Sequence, residues 1–121
     1  MSEAKTYVFT LTTFSQDADR VATPLVLANN ALAMGHKALI WLTLDGAKLA
    51  VTNAAEALHP VSFPKVSELL ATFLSNGGRI GVCPPCGKTH GVNDDNMLTG
   101  AQWLGAAALL ESSQDGQVFS F

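Results

Sequence analysis

Lys37-Ala38-Leu39-Ile40-Trp41-Leu42-Thr43-Leu44 is the stretch on which the fold turns. It has the length of a strand, and its apolar residues follow one another almost without interruption. Alternation of apolar and polar residues marks a sheet with one wet face. Continuity marks a strand covered on both faces, as in a parallel sheet with helices on each side. Asp45-Gly46 then turns the chain at the carboxyl end of this strand.

Upstream, Thr6 to Thr13 is β-branched and aromatic, the composition of another buried strand. Ser15, Asp17 and Asp19 supply helix caps after it. From Arg20 to Met34, Val21, Leu25, Ala28 and Leu32 share one helical face. Pro24 suits only a first turn, which predicts a helix starting near Val21, and Gly35 stands where a left-handed C-terminal cap belongs.

Downstream, the alanines of Ala47 to Pro60 predict a short helix followed by a loop, closed by His59-Pro60. Pro64 opens a helix whose Val66, Leu69, Leu70, Phe73 and Leu74 form one apolar stripe, and Asn76-Gly77-Gly78 ends it. A short apolar run, Ile80 to Val82, ends on Cys83. Asn93 to Asn96 offers N-caps for a helical turn through Leu98, and Gly100 to Leu104 reads as a short strand. Ala106 to Ser113 reads as a helix and Gln117 to Phe121 as a last strand. The order predicts one domain over residues 1–121. Its class is α/β, a three-layer α/β/α sandwich around a mostly parallel sheet of about five strands.

Whole-chain composition narrows the partners. Net charge is -3 with no basic block, which argues against nucleic acid. No apolar run approaches the roughly 18 residues of a membrane helix, so no membrane is expected. The opening Met-Ser-Glu-Ala-Lys has no apolar segment behind a basic one, and a cytoplasmic location follows as the expectation. Apolar residues make up 48% and charged ones only 14%. A surface short of charge predicts apolar patches covered by other copies of the chain, with Trp103, Met97 and Leu98 as expected contacts.

The chemistry gathers in Arg79-Ile-Gly-Val-Cys-Pro-Pro-Cys-Gly-Lys-Thr-His-Gly-Val92, which holds both cysteines. After Cys83 the stretch reads as an irregular loop. In open α/β sheets ligands bind beyond the carboxyl ends of the strands, where Cys83 stands and where Asp45 and Thr13 to Gln16 also fall. A thiolate there would be stabilised by loop N–H groups and by Lys88 or protonated His90. Gly87 and Gly91 would let the backbone approach a bound anion.

Three uses of the pair are open. In the first, Cys83 is a nucleophile that accepts sulfur or attacks a disulfide, and Cys86 resolves it. In the second, Cys83, Cys86 and His90 bind zinc, with Asp94, Asp95 or His59 as fourth ligand, in a non-catalytic metal- or small-ligand-binding module. In the third they form a disulfide, which adds little stability across so short a loop. A cysteine at a strand end can also be a plain small hydrophobe. Zinc apart, no cofactor is called for. His36 reads as a solvated connector, His59 as a loop residue, Trp41 as core and Asp45 as a turn former.

Taken together, these segments resemble the DsrE/DsrF-like family of small sulfur-relay proteins. The resemblance rests on Tyr7 to Leu11, Met34-Gly35-His36, Leu44-Asp45-Gly46, Leu69 to Gly78, Ile80-Gly-Val-Cys83 and Val118-Phe-Ser-Phe121. It implies a compact α/β sandwich assembled as homo-trimers or homo-hexamers. It also implies a sulfurtransferase or sulfur carrier, with persulfide sulfur held on Cys83 and passed between donor and acceptor proteins. Lys88 and His90 would favour the thiolate. The chain departs from the family just after Cys83: the family more often continues into a helix with no second cysteine, whereas here Pro84-Pro85-Cys86 follows.

Overall fold

The computed structural model describes residues 4–121; the opening Met-Ser-Glu, part of the stretch read for a leader, lies outside the described residues. Strands β1 (Thr6–Leu11), β2 (Lys37–Leu42), β3 (Arg79–Val82), β4 (Ala101–Trp103) and β5 (Gln117–Ser120) form one sheet in the order β4-β3-β2-β1-β5. Every neighbouring pair is parallel, so the sheet is wholly rather than mostly so. The continuous stretch that suggested this is β2, flanked by β1 and β3 and buried at Ala38, Leu39, Ile40 and Leu42.

Helices α1 (Ala18–Ala33), α2 (Val66–Ser75), α3 (Pro84–Thr89) and α4 (Ala106–Ser112) complete the sandwich. The layers are unequal. The larger core joins Phe9, Leu11, Ile40, Leu42, Ile80 and Val82 of the sheet to α1, α2 and the segment after β2. On the other face, among the described residues, Val8, Leu39 and Leu104 meet only Trp41 and Ala108 and Leu109 of α4. No residue of α4 is buried. That face is thinly covered because α4 is short and opens with three alanines.

Several boundaries differ from the sequence reading. Helix α1 begins at Ala18, because Asp17 caps it by accepting the Arg20 N–H at 3.1 Å. Pro24 therefore lies beyond the first turn, where the ring is buried. Ala47 to Pro60 forms no α-helix. Two 3₁₀ helices, Leu44–Ala50 and Ala54–Ala57, take its place, separated at Asn53 by a left-handed residue (φ +67°). Residues 93–98 make a turn, not a helix. The Asn93 side chain accepts the N–H groups of Asp95 and Asn96, and Met97 pairs with Val51 in an isolated bridge. Side-chain capping won over helix formation there, as it does where Asn and Asp cluster. Among the described residues no helix is long and apolar enough to cross a membrane.

Candidate functional site

Parallel pairing sets the carboxyl ends of β1, β2 and β3 along one edge of the sheet. The ladder runs one residue further. Thr43 N–H donates to the Leu11 carbonyl at 3.0 Å, and Cys83 N–H donates to the Leu42 carbonyl at 2.9 Å. Thr43 and Cys83 thus leave the sheet from neighbouring strands.

Cys83 opens a helix, not the irregular loop expected. Pro84 and Pro85 fill the first helical positions, where a missing N–H costs nothing, and the Gly87 N–H closes the first turn on the Cys83 carbonyl at 2.8 Å. At the far end Gly91 takes φ +84° while Val92 N–H reaches the Gly87 carbonyl at 2.8 Å. This is the left-handed glycine cap also seen after α1 and α2. Proline at the start and glycine past the end are both written in the sequence, but two adjacent prolines also resemble a break.

The helix puts Cys83 and Cys86 one turn apart on one side. Both thiols are free and half-buried, so they do not form the short disulfide. Cys86 Sγ lies 3.2 Å from the Thr43 hydroxyl. This contact foremost holds the Cys86 thiol below its ordinary pKa, against an opposing contribution from burial.

Lys88 and His90 stand elsewhere. Lys88 is two positions beyond Cys86 and so on another side of the helix. It lines a separate cavity of about 330 Å³ with Pro84, Asp94 and Trp103. His90 caps α3, its backbone N–H donating to the Cys86 carbonyl at 3.0 Å. Its place two turns beyond Cys83 puts roughly 10 Å of helix axis between them. Among the described residues no three His, Cys, Asp or Glu side chains converge as a metal site requires. The zinc set of Cys83, Cys86 and His90 with Asp94, Asp95 or His59 is therefore not assembled. Asp94 instead accepts the Trp103 indole N–H at 2.7 Å, and His59 is exposed. Gly87 serves packing and not anion approach: a Cβ there would lie 2.5 Å from the Trp103 ring.

Asp45 is more than a turn former. Its carboxylate accepts the N–H groups of Phe14 at 2.9 Å and Ser15 at 2.8 Å, the Ser15 hydroxyl at 3.2 Å, and pairs with Lys48 at 2.9 Å. The Ser15 N–H foremost, with Lys48 and the Phe14 N–H, holds this carboxyl well below the usual carboxylate range. Of the Thr13 to Gln16 stretch expected at the same strand ends, Phe14 and Ser15 contact Asp45, which makes a latch between the ends of β1 and β2. Thr43 and Leu44 are the site residues that sequence reasoning missed. Thr43 looks like the tail of a strand, and leucine gives no signal for the left-handed conformation that Leu44 adopts (φ +52°).

These features define a class: a parallel α/β sandwich that presents two free thiols at the carboxyl edge of its strands. The chain belongs to the DsrE/DsrF-like family, whose profile matches residues 5–121. It is 32% identical over 99 residues to the uncharacterized protein MJ0760 of Methanocaldococcus jannaschii, covering 82% of this chain and 36% of that protein. It is 29% identical over 84 residues to the uncharacterized protein MK0008 of Methanopyrus kandleri, covering 69% of this chain and 66% of that one. The chain thus spans less than two thirds of the length of either relative. Among solved structures, the ychN protein from E. coli superposes with a TM-score of 0.74 at 10% identity, over 98% of this chain and 100% of that chain. MTH1491 from Methanobacterium thermoautotrophicum does so with a TM-score of 0.74 at 14% identity, over 97% and 99%. At such identities the two structures establish the shared fold.

Proposed function

We propose that this chain is a sulfur-relay protein, a sulfurtransferase or sulfur carrier that takes sulfane sulfur from a donor protein onto the Cys83–Cys86 pair and hands it to an acceptor. The observation that carries the reading is the pair itself: two free thiols one helical turn apart at a strand edge, one of them 3.2 Å from a hydroxyl. A thiolate is the form of cysteine that attacks sulfur, and hydrogen-bond donors favour it. Membership of the DsrE/DsrF-like family supports the same reading. A reducing cytoplasm is the compartment in which such thiols stay free.

Assembly as a homo-trimer or homo-hexamer belongs to the same proposal. Trp103, Met97 and Leu98, expected as contacts, are half-buried and packed on this chain's own core. Exposed apolar side chains that gather in one region lie elsewhere: Leu27 on α1 and Met34 at its end, with Val118 and Phe119 of β5, an edge strand. Phe119 stacks on Tyr7 and Phe9, which anchors the patch to the sheet. A patch of this kind marks a subunit contact.

Incubation with inorganic polysulfide, followed by intact mass measurement, tests the relay reading. The wild-type chain is expected to gain one sulfur that a reductant removes, and the Cys83→Ser/Cys86→Ser double variant to gain none. A wild-type chain that stays at its own mass refutes it.

A further inference from the structure

Position along the chain singles out Cys83, the residue that follows β3. Hydrogen bonding singles out the other sulfur. We infer that Cys86 is the nucleophile of the pair, with Thr43 and the strained Leu44 as positioning residues beside its sulfur; the inference rests on the sulfur-relay reading for its substrate.

The Thr43 hydroxyl lies 3.2 Å from Cys86 Sγ, within reach to donate to a thiolate there, and Leu44 follows it at the same strand edge. Thr43 and Cys86 are 43 positions apart in sequence but adjacent at the strand edge. Hydrogen bonds to the charged form are what stabilise a thiolate.

The backbone next to that contact is unusual. Leu44 takes φ +52°, a conformation that costs an L-residue roughly 1–2 kcal/mol. Its side chain is 56% exposed, so its own packing does not repay that cost. The backbone on either side does. Upstream, Thr43 is extended and its N–H is held by the Leu11 carbonyl. Downstream, Asp45 is latched to Phe14 and Ser15, and Gly46 packs so tightly on the Leu11 carbonyl that a Cβ would collide with it. Strain retained by over-determined surroundings is typical of residues that position a reacting group. Here the strained residue directly follows Thr43, whose hydroxyl touches the thiol.

In the reaction, the Cys86 thiolate attacks the outer sulfur of a donor persulfide R–S–SH. A new S–S bond forms on Cys86 while the donor S–S bond breaks. Its electron pair leaves as R–S⁻, which takes a proton from solvent. Cys86 becomes a persulfide with no external oxidant or reductant. An acceptor thiolate attacking the terminal sulfur reverses the step and restores the Cys86 thiolate.

Two measurements on the full chain test this. The first is residue-resolved alkylation by iodoacetamide across pH, with peptide mass spectrometry. Cys86 is expected to label before Cys83. Thr43→Val should slow Cys86 by about tenfold near neutral pH, the effect of one hydrogen bond to a charged group, and move its pH midpoint upward; Thr43→Ser should restore both. Leu44→Val, β-branched and unsuited to positive φ, should slow Cys86, and Leu44→Gly should restore it. Cys83 labelling first, or Thr43→Val leaving the Cys86 pH profile in place, overturns the inference.

The second measurement is polysulfide loading of the single variants. Cys83→Ser should still gain a sulfur and Cys86→Ser should not. Loading that needs Cys83 alone overturns the inference and leaves the relay reading standing. If no form of the protein gains sulfur while Cys86 still labels first and responds to Thr43→Val, the relay reading fails and the assignment of the nucleophile holds.

Discussion

Replacing Asp45 by Asn keeps the size and shape of the side chain and removes its charge. The carboxylate receives two backbone N–H groups, one hydroxyl and the Lys48 ammonium. A hydrogen bond to a charged group contributes about 1.5–3 kcal/mol when sheltered, and an exposed ion pair less than about 1. The Asp45 side chain is 28% exposed, which discounts these values, and an Asn oxygen retains weaker versions of one or two bonds. The expected loss is therefore about 2 kcal/mol, a fall in Tm of about 8 °C for a domain of this size.

The charge origin gives this loss a pH signature. The folded pKa is held below the unfolded value of about 3.9. Below that pH the unfolded chain binds a proton that the folded chain resists, so the wild type loses stability as pH falls. The Asp45→Asn variant has nothing to titrate at this position. The gap between Asp45→Asn and wild type should be full above about pH 5 and shrink steadily towards about pH 2. Urea denaturation at several pH values measures it. A gap of the same size at about pH 7 and about pH 2.5, or one below about 0.5 kcal/mol throughout, would refute the argument that a charged latch joins the two strand ends.

Two glycine substitutions separate crowding from backbone strain. Gly46→Ala puts a methyl group into the Leu11 carbonyl and should destabilise by several kcal/mol or leave the protein unfolded, whereas Gly91→Ala meets no neighbour and should cost only about 1 kcal/mol for its positive φ. Thermal melts of the two variants check the order, and equal losses would contradict it. For assembly, light scattering at micromolar concentration should give three or six chain masses for the wild type and a lower mass for Phe119→Glu, which charges the exposed apolar patch. A wild-type mass of one chain, unchanged by dilution, removes the oligomer.

Much of the fold was legible in the sequence because its signals are local. Continuous hydrophobicity from Ala38 to Leu42 reports burial on both faces, and that alone calls for parallel strands with helices on either side. Glycine after Met34 and after Asn76 marks left-handed caps, and both are found there. The same signal at Gly91, with prolines at the head of the segment, encodes α3 as well; two adjacent prolines mask it by resembling a break. The placement of both cysteines just past β3 was legible for the same reason.

What only the tertiary structure decided is the company each thiol keeps. Leu42 pairs with Val82, and one residue beyond that register Thr43 and Cys83 emerge together. No feature near Cys86 in sequence announces a hydroxyl from residue 43 beside its sulfur. Helical phase, likewise, turns Lys88 away from Cys86 although only Gly87 lies between them. The left-handed turn at Leu44 is invisible to propensity, because leucine disfavours it; the Asp45 latch, the Gly46 contact and the β1 ladder impose it from outside. Periodicity and capping are written along a chain, whereas strand register and its end contacts exist only once the sheet has closed.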